Sequence, residues 1–201
     1  MKKISVLDRV LLLITVLLAA YQVAVGCNGL ETLAITSYTI GFGVLLVAGL
    51  LIIILGFEVL DSPVVVIVST VIPLSLSLGL VSEHLTGFTT PYLIFAIVGF
   101  LSIVVTRYRT PGKAANIVLA VVHGVAGLLI FLLPIILSIR GDTPGGFALV
   151  GVGGALIGVG GLLLTFLKAG KPILPQKVIL SVLPGLLLLM TAAFVAGFAL
   201  G

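Results

Sequence analysis

Long apolar runs alternate with brief polar interruptions along the whole chain. Seven runs are visible, and all but the short fourth run approach or exceed the roughly 20 residues that cross a bilayer core. The predicted spans are 10–26, 33–57, 64–81, 92–106, 114–139, 147–167 and 178–200. The interruptions carry turn residues such as Thr110-Pro111-Gly112, and none is long enough to fold alone. The pattern predicts an all-α integral membrane protein, with residues 1–201 forming a single bundle of about seven transmembrane helices joined by short loops.

Composition supports the same class. The chain is 61% hydrophobic and 8% charged, whereas about a quarter of the residues of a soluble globular protein are charged. A membrane β-barrel needs alternating segments of about ten residues, and the unbroken apolar runs do not alternate. We therefore expect the lipid bilayer to be the solvent of this fold.

The basic residues predict an orientation. Counted across alternating sides of the membrane, one side receives nine of the ten Lys and Arg residues, and the other receives only Arg140. The nine are Lys2, Lys3, Arg9, Arg107, Arg109, Lys113, Lys168, Lys171 and Lys177. By the positive-inside rule we expect a cytoplasmic N-terminus and an external C-terminus, in a cell membrane (plasma or inner). The net charge of +4 then reflects orientation, and we expect no nucleic acid partner.

The N-terminal segment resembles a secretory signal. Lys2 and Lys3 precede an apolar core, and Ala24-Val25-Gly26-Cys27 loosely resembles the lipoprotein processing box. Because Ala24 stands where leucine is usual, we interpret the segment as the first transmembrane helix. Cys27 is the single cysteine, so the chain can form neither an intrachain disulfide nor a cysteine metal cluster.

The charged residues exclude several functions. All sixteen Asp, Glu, Lys and Arg residues fall in predicted loops or at helix ends, whereas proton relays and ion-coupled carriers need an ionisable group near the midplane. A retinal pump is excluded because Lys177 lies at the edge of the last helix and no lysine lies inside it. No nucleophile–base constellation, Walker loop or zinc spacing occurs, so we expect no catalytic activity.

His123 is the most unusual polar residue, since it stands inside the apolar fifth span. It shares a helical face of small residues with Asn116, Ala120 and Gly127, and Gly124 widens that face. We expect a neutral imidazole that hydrogen-bonds a neighbouring helix, where the candidate partners are Ser69, Thr70 and Ser181. Contact with a haem, chlorophyll or quinone stays open as the functional alternative.

The external loop after the third span carries Glu83 and His84. The pair is a candidate to accept protons from a quinol or to contact a partner. The alternative is an interfacial loop in which Tyr21, Tyr38 and Tyr92 form the aromatic belt. One haem cannot join the two histidines, because their predicted depths differ by about 20 Å at 1.5 Å per residue.

The sixth span is the most patterned segment. Gly151, Gly154, Gly158 and Gly161 recur at spacings that place them on one helical face. A strip without side chains lets a second backbone approach closely, so we expect helix packing there. A groove for a flat ligand is the alternative.

These observations favour a non-catalytic membrane subunit that packs against other membrane chains, in a respiratory or photosynthetic electron-transfer complex. Two alternatives belong to other classes. One is a small carrier or channel for an uncharged or lipophilic solute, moving at Pro73, Pro134 and Pro184. The other is a redox subunit that binds quinone or haem at His123 or at the Glu83–His84 edge. The sequence itself requires no cofactor.

Overall fold

Seven long helices make up nearly all of the structure, a computed structural model that describes residues 3–27, 29–110, 112–168, 170 and 172–201. No strand occurs in these ranges. The helices are α1 (Val6–Val25), α2 (Thr32–Leu55), α3 (Pro63–His84), α4 (Thr89–Arg109), α5 (Lys113–Arg140), α6 (Ala148–Lys168) and α7 (Gln176–Leu200). All seven are long and apolar enough to cross a membrane. The chain is therefore a multi-pass helical membrane protein.

Local capping explains where the helices begin and end. Ser5 caps α1 and forms a capping box with Asp8, so the helix begins four residues before the predicted span. Glycines with positive φ end three helices, namely Gly26, Gly56 and Gly141. The fourth helix has 21 residues and so extends beyond both ends of the short apolar run 92–106. Its polar ends, Thr89 and Arg109, are helical although they lie outside the apolar run.

Six helices form a closed ring in the order α1, α2, α3, α5, α6, α7, and α7 returns to α1. The remaining helix, α4, lies outside the ring and packs against α3 and α5. Because the connections are short, consecutive helices run in opposite directions. One end of the bundle, here called the basic end, carries Arg9, Arg107, Lys113 and Lys177. The other is called the opposite end.

The centre of the ring is filled by side chains. Tyr38, Phe42, Phe194 and Phe198 form tilted and edge-to-face ring contacts, with the Phe42 and Phe194 centroids 6.3 Å apart. Such geometry adds to the burial of the rings themselves. Nearer the basic end, Leu12, Ile52, Phe57, Leu180 and Leu183 form a second buried cluster. Apolar and aromatic side chains therefore fill both of these parts of the ring.

Candidate functional site

The seam between α5 and α6 is closed toward the opposite end of the bundle. A β-carbon added to Gly154 would lie 2.8 Å from the backbone carbon of Ile130 and 2.8 Å from the backbone nitrogen of Phe131. At Gly151 it would overlap the carbonyl oxygen of Phe131 and the side chain of Ile135. Only glycine permits this approach of one helix backbone to another.

The same seam is open toward the basic end. Gly158 and Gly161 continue the glycine face of α6, and Gly124 and Gly127 continue the facing side of α5. A β-carbon at any of the four would meet nothing within 4 Å in the described part of the chain. These four glycines define what we call the α5–α6 cleft.

The predicted strip of four glycines is therefore split between two environments. Gly151 and Gly154 pack against α5, whereas Gly158 and Gly161 are exposed. The predicted helix packing is therefore present within this chain for the first pair, and packing of the second pair against a helix stays a prediction. Periodicity places residues on one face of a helix, but the crossing of two helices decides how far along that face the contact extends.

His123 borders the cleft and is half-buried. Its Nδ1 lies 3.2 Å from the carbonyl oxygen of Leu119, one turn back on the same helix. A carbonyl only accepts, so Nδ1 carries the proton and the neutral ring leaves Nε2 as an acceptor. The α5 rim of the cleft therefore carries an imidazole.

The predicted hydrogen bond from His123 to another helix was wrong. Of the candidate partners, Thr70 donates to the carbonyl of Val66 at 2.9 Å and Ser181 donates to that of Lys177 at 2.7 Å. Ser69 likewise donates to Val66. Hydroxyls inside a helix bond the carbonyl one turn back, which satisfies them without any neighbour. The other small residues of the His123 face are also unpacked, since Asn116, Ala120 and Gly124 are exposed.

Arg107 lies on the same side of the bundle, in the last turn of α4. Its Nε is the one buried side-chain nitrogen or oxygen in the described residues that has no hydrogen-bond partner. The half of the bundle nearer the basic end thus holds a cation and an imidazole on two different helices.

Glu83 and His84 lie at the opposite end, where α3 ends. A carboxylate oxygen of Glu83 accepts from the backbone N–H of Glu31 at 3.4 Å, and the His84 ring lies edge-on to Phe147 at 5.2 Å. The structure does not bring this pair near His123, which is separated from that end by about 25 Å of helix at 1.5 Å per residue. Among the described residues, no three His, Cys, Asp or Glu side chains group to hold a metal ion.

Two of the expected belt tyrosines are buried inside the bundle. Tyr92 donates from its hydroxyl to Ser77 Oγ at 2.7 Å, joining α4 to α3. Tyr38 is 3% exposed and fills the space that a side chain at Gly79 would occupy. Of the three expected belt tyrosines, Tyr21 alone is exposed, at 54%. A glycine such as Gly79 can signal that a large side chain packs against its helix, but no sequence pattern shows that this side chain is Tyr38.

The contact between α6 and α7 was not predicted. Gly197 of α7 lies against the backbone of Val150, and Gly153 of α6 lies against Phe194. Gly153 was overlooked because it lies off the predicted strip, beside Gly154. The segment "GVGG" therefore packs against two helices: Gly151 and Gly154 contact α5, and Gly153 contacts α7.

No protein-family model, no curated protein and no solved structure matches this chain. The functional assignment therefore rests on the geometry of the chain itself.

Proposed function

We propose that this protein is a non-catalytic integral membrane subunit that docks a transmembrane helix of another chain along the α5–α6 cleft. The observation that supports it is the cleft itself: glycine faces of α5 and α6 continue beyond their mutual contact and are left uncovered. Small-residue faces are the surfaces on which membrane helices associate, because lipid supplies no hydrophobic driving force between helices.

The cleft suits a helix because it extends an existing helix–helix contact. Gly151 and Gly154 bring α6 close to α5 by backbone approach, and Gly158 continues the same face one turn farther on. A partner helix placed there meets the same kind of surface and gains dispersion contacts along both rims. A second copy of this chain and a lipid chain are the alternative occupants, and photo-crosslinking from position 158 distinguishes them.

We infer that the assembly belongs to the electron-transfer class, respiratory or photosynthetic. His123 borders the cleft with Nε2 free to accept a bond or bind a cofactor. A haem, chlorophyll or quinone held by the partner would therefore meet an imidazole at the interface. An absorption spectrum of the native complex tests this assignment.

We also propose that the basic end faces the cytoplasm in a cell membrane, which follows from the asymmetry of Lys and Arg. Reporter fusions placed at Gly112 and after Gly201 are expected to report cytoplasm and exterior respectively. Both reporters on one side would contradict the seven-span topology.

The docking proposal is tested by Gly158→Leu, with Gly43→Leu as the matched control. Both glycines are helical and neither meets an atom of the described chain within 4 Å, so both variants are expected to fold. We expect Gly158→Leu to shift the native complex in mild detergent to the mass of the isolated chain, because leucine fills the docking face. Gly43→Leu should keep the complex. Equal behaviour of the two variants, or a wild-type chain already at the mass of a monomer, would refute the proposal.

A further inference from the structure

Arg107 carries a permanent charge into the edge of the bundle. The side chain is half-buried, and its Nε is fully buried without a partner among the described residues. Guanidinium stays protonated at every physiological pH, and a buried donor on a charged group is strongly unfavourable without an acceptor. We therefore expect an acceptor for this guanidinium, reached through its N–H groups other than the covered Nε–H.

The chain supplies no acidic side chain in reach. Apart from contacts near the opposite end, the close contacts of α4 within the described residues are with α3 and α5. The acids of the basic end are Asp8 in α1, and Glu58 and Asp61 in the 3-10 turn after α2; neither element packs against α4. Helix α5 contains no acid, and the only acid of α3 is Glu83 at the far end. No acidic side chain of these elements is placed to pair with Arg107, so its half-exposed side chain is open to an acceptor from outside the chain.

We propose that Arg107 binds the phosphate group of an anionic phospholipid in the leaflet at the basic end. Helix α4 is the outermost helix, and Arg107 lies in its last turn with a half-buried side chain, next to the exposed Tyr108 and Arg109. The last helical turn also lies at the depth of lipid phosphates when the helix spans the bilayer. The planar fork of arginine matches phosphate oxygens through two donors.

The connection to α5 favours an anion at the same place. The segment from Arg107 to Lys113 holds three basic residues and no acidic one. No side chain caps the N-terminus of α5, so its first N–H groups are available at the positive end of a 28-residue helix. This site is distinct from the α5–α6 cleft and goes beyond the docking proposal.

The test uses the isolated full-length protein, delipidated in a neutral detergent. Phosphatidylglycerol, phosphatidylcholine and inorganic phosphate are titrated separately, with bound lipids counted by native mass spectrometry and the melting temperature followed by circular dichroism. We expect one tightly bound phosphatidylglycerol and a saturable rise in melting temperature, and neither effect from phosphatidylcholine. Inorganic phosphate giving the full rise would show that the site takes free phosphate, which overturns the lipid assignment.

The variants are Arg107→Gln, Arg107→Lys and the matched control Arg109→Gln, which removes an exposed charge from the same turn. Arg107→Gln should weaken phosphatidylglycerol binding at least about tenfold, since a charged hydrogen bond is lost. Arg107→Lys keeps the charge without the fork, and should fold and bind with intermediate affinity. Arg109→Gln should bind like the wild type. Equal loss from Arg107→Gln and Arg109→Gln would mean general charge attraction, and no bound lipid in the wild type would favour a carboxylate of a partner chain; either result overturns the proposal.

Discussion

Replacing Gly154 by alanine tests the closed half of the α5–α6 seam. The new β-carbon would lie 2.8 Å from two backbone atoms of α5, whereas ordinary contacts begin at 3.4 Å. Backbone atoms cannot rotate away as a side chain can, so the two helices must part by about 0.6 Å at this level. Overpacking of this kind costs about 1–3 kcal/mol.

Gly158→Ala is the matched control, because it is the same substitution four residues away on the same face. Its β-carbon meets no atom of the described residues within 4 Å. Both variants gain the higher helix propensity of alanine, about 1 kcal/mol in soluble helices. That gain cancels in the comparison, so the difference between the two free energies of unfolding is the steric cost alone, about 1–3 kcal/mol.

The chain has no tryptophan, so unfolding is best followed by far-UV circular dichroism during titration of mixed micelles with sodium dodecyl sulfate. We expect Gly154→Ala to unfold at a lower detergent fraction than the wild type. Gly158→Ala is expected to unfold at the wild-type fraction or above it. Indistinguishable curves for the two variants, or a larger loss for Gly158→Ala, would refute the division of the seam into closed and open halves.

Three further predictions concern single polar side chains. Tyr92→Phe removes the bond to Ser77 and should lower the free energy of unfolding by about 0.6 kcal/mol in the same titration, with at most about 1.7; no loss would mean that the bond does not form in the membrane. His123→Gln should change the free energy of unfolding of the isolated chain by less than about 1 kcal/mol, because the imidazole bonds only its own helix in the described structure. If the same substitution removed a visible absorption band from the native complex, His123 would be a cofactor ligand instead. Burial raises the pKa of the Cys27 thiol, and a hydrogen bond from Gln22 offsets part of this rise. We therefore expect maleimide to label the folded protein more slowly than the unfolded chain at neutral pH, and the labelling rate to keep increasing above the pH of about 8.5 at which an ordinary thiol titrates. Equal labelling rates in the two states would contradict the burial.

The helices were predictable because lipid imposes a one-dimensional rule. Each span must be long, apolar and satisfied in its own backbone hydrogen bonds, and all of this is readable from consecutive residues. The capped start of α1 and the polar ends of α4 were not predicted, because helices extend beyond the apolar core of the bilayer into the interface. The helix bounds therefore differ from the apolar runs mainly at their ends.

The contacts between helices were harder to predict. The spacing of Gly151, Gly154 and Gly158 places them on one face, yet only a three-dimensional crossing tells where α5 departs from that face. Tyr92 was assigned to the interface by its position near a helix end, and its buried partner Ser77 lies on a different helix. His123 was expected to seek another helix, but its own helix offered a carbonyl at 3.2 Å. These contacts depend on a carbonyl of the same helix or on a residue of another helix, and neither can be identified from the spacing of residues along the chain.

A photo-crosslinking amino acid at position 158, compared with one at Val47, tests the docking claim most directly. Val47 is 50% exposed on α2, across the ring from the cleft, and so controls for general exposure. In native membranes we expect the probe at position 158 to form an adduct whose peptides map to a transmembrane segment of a different protein, while the probe at position 47 does not. Adducts with lipid alone at both positions, or with the same proteins at both, would contradict a helix-docking cleft between α5 and α6.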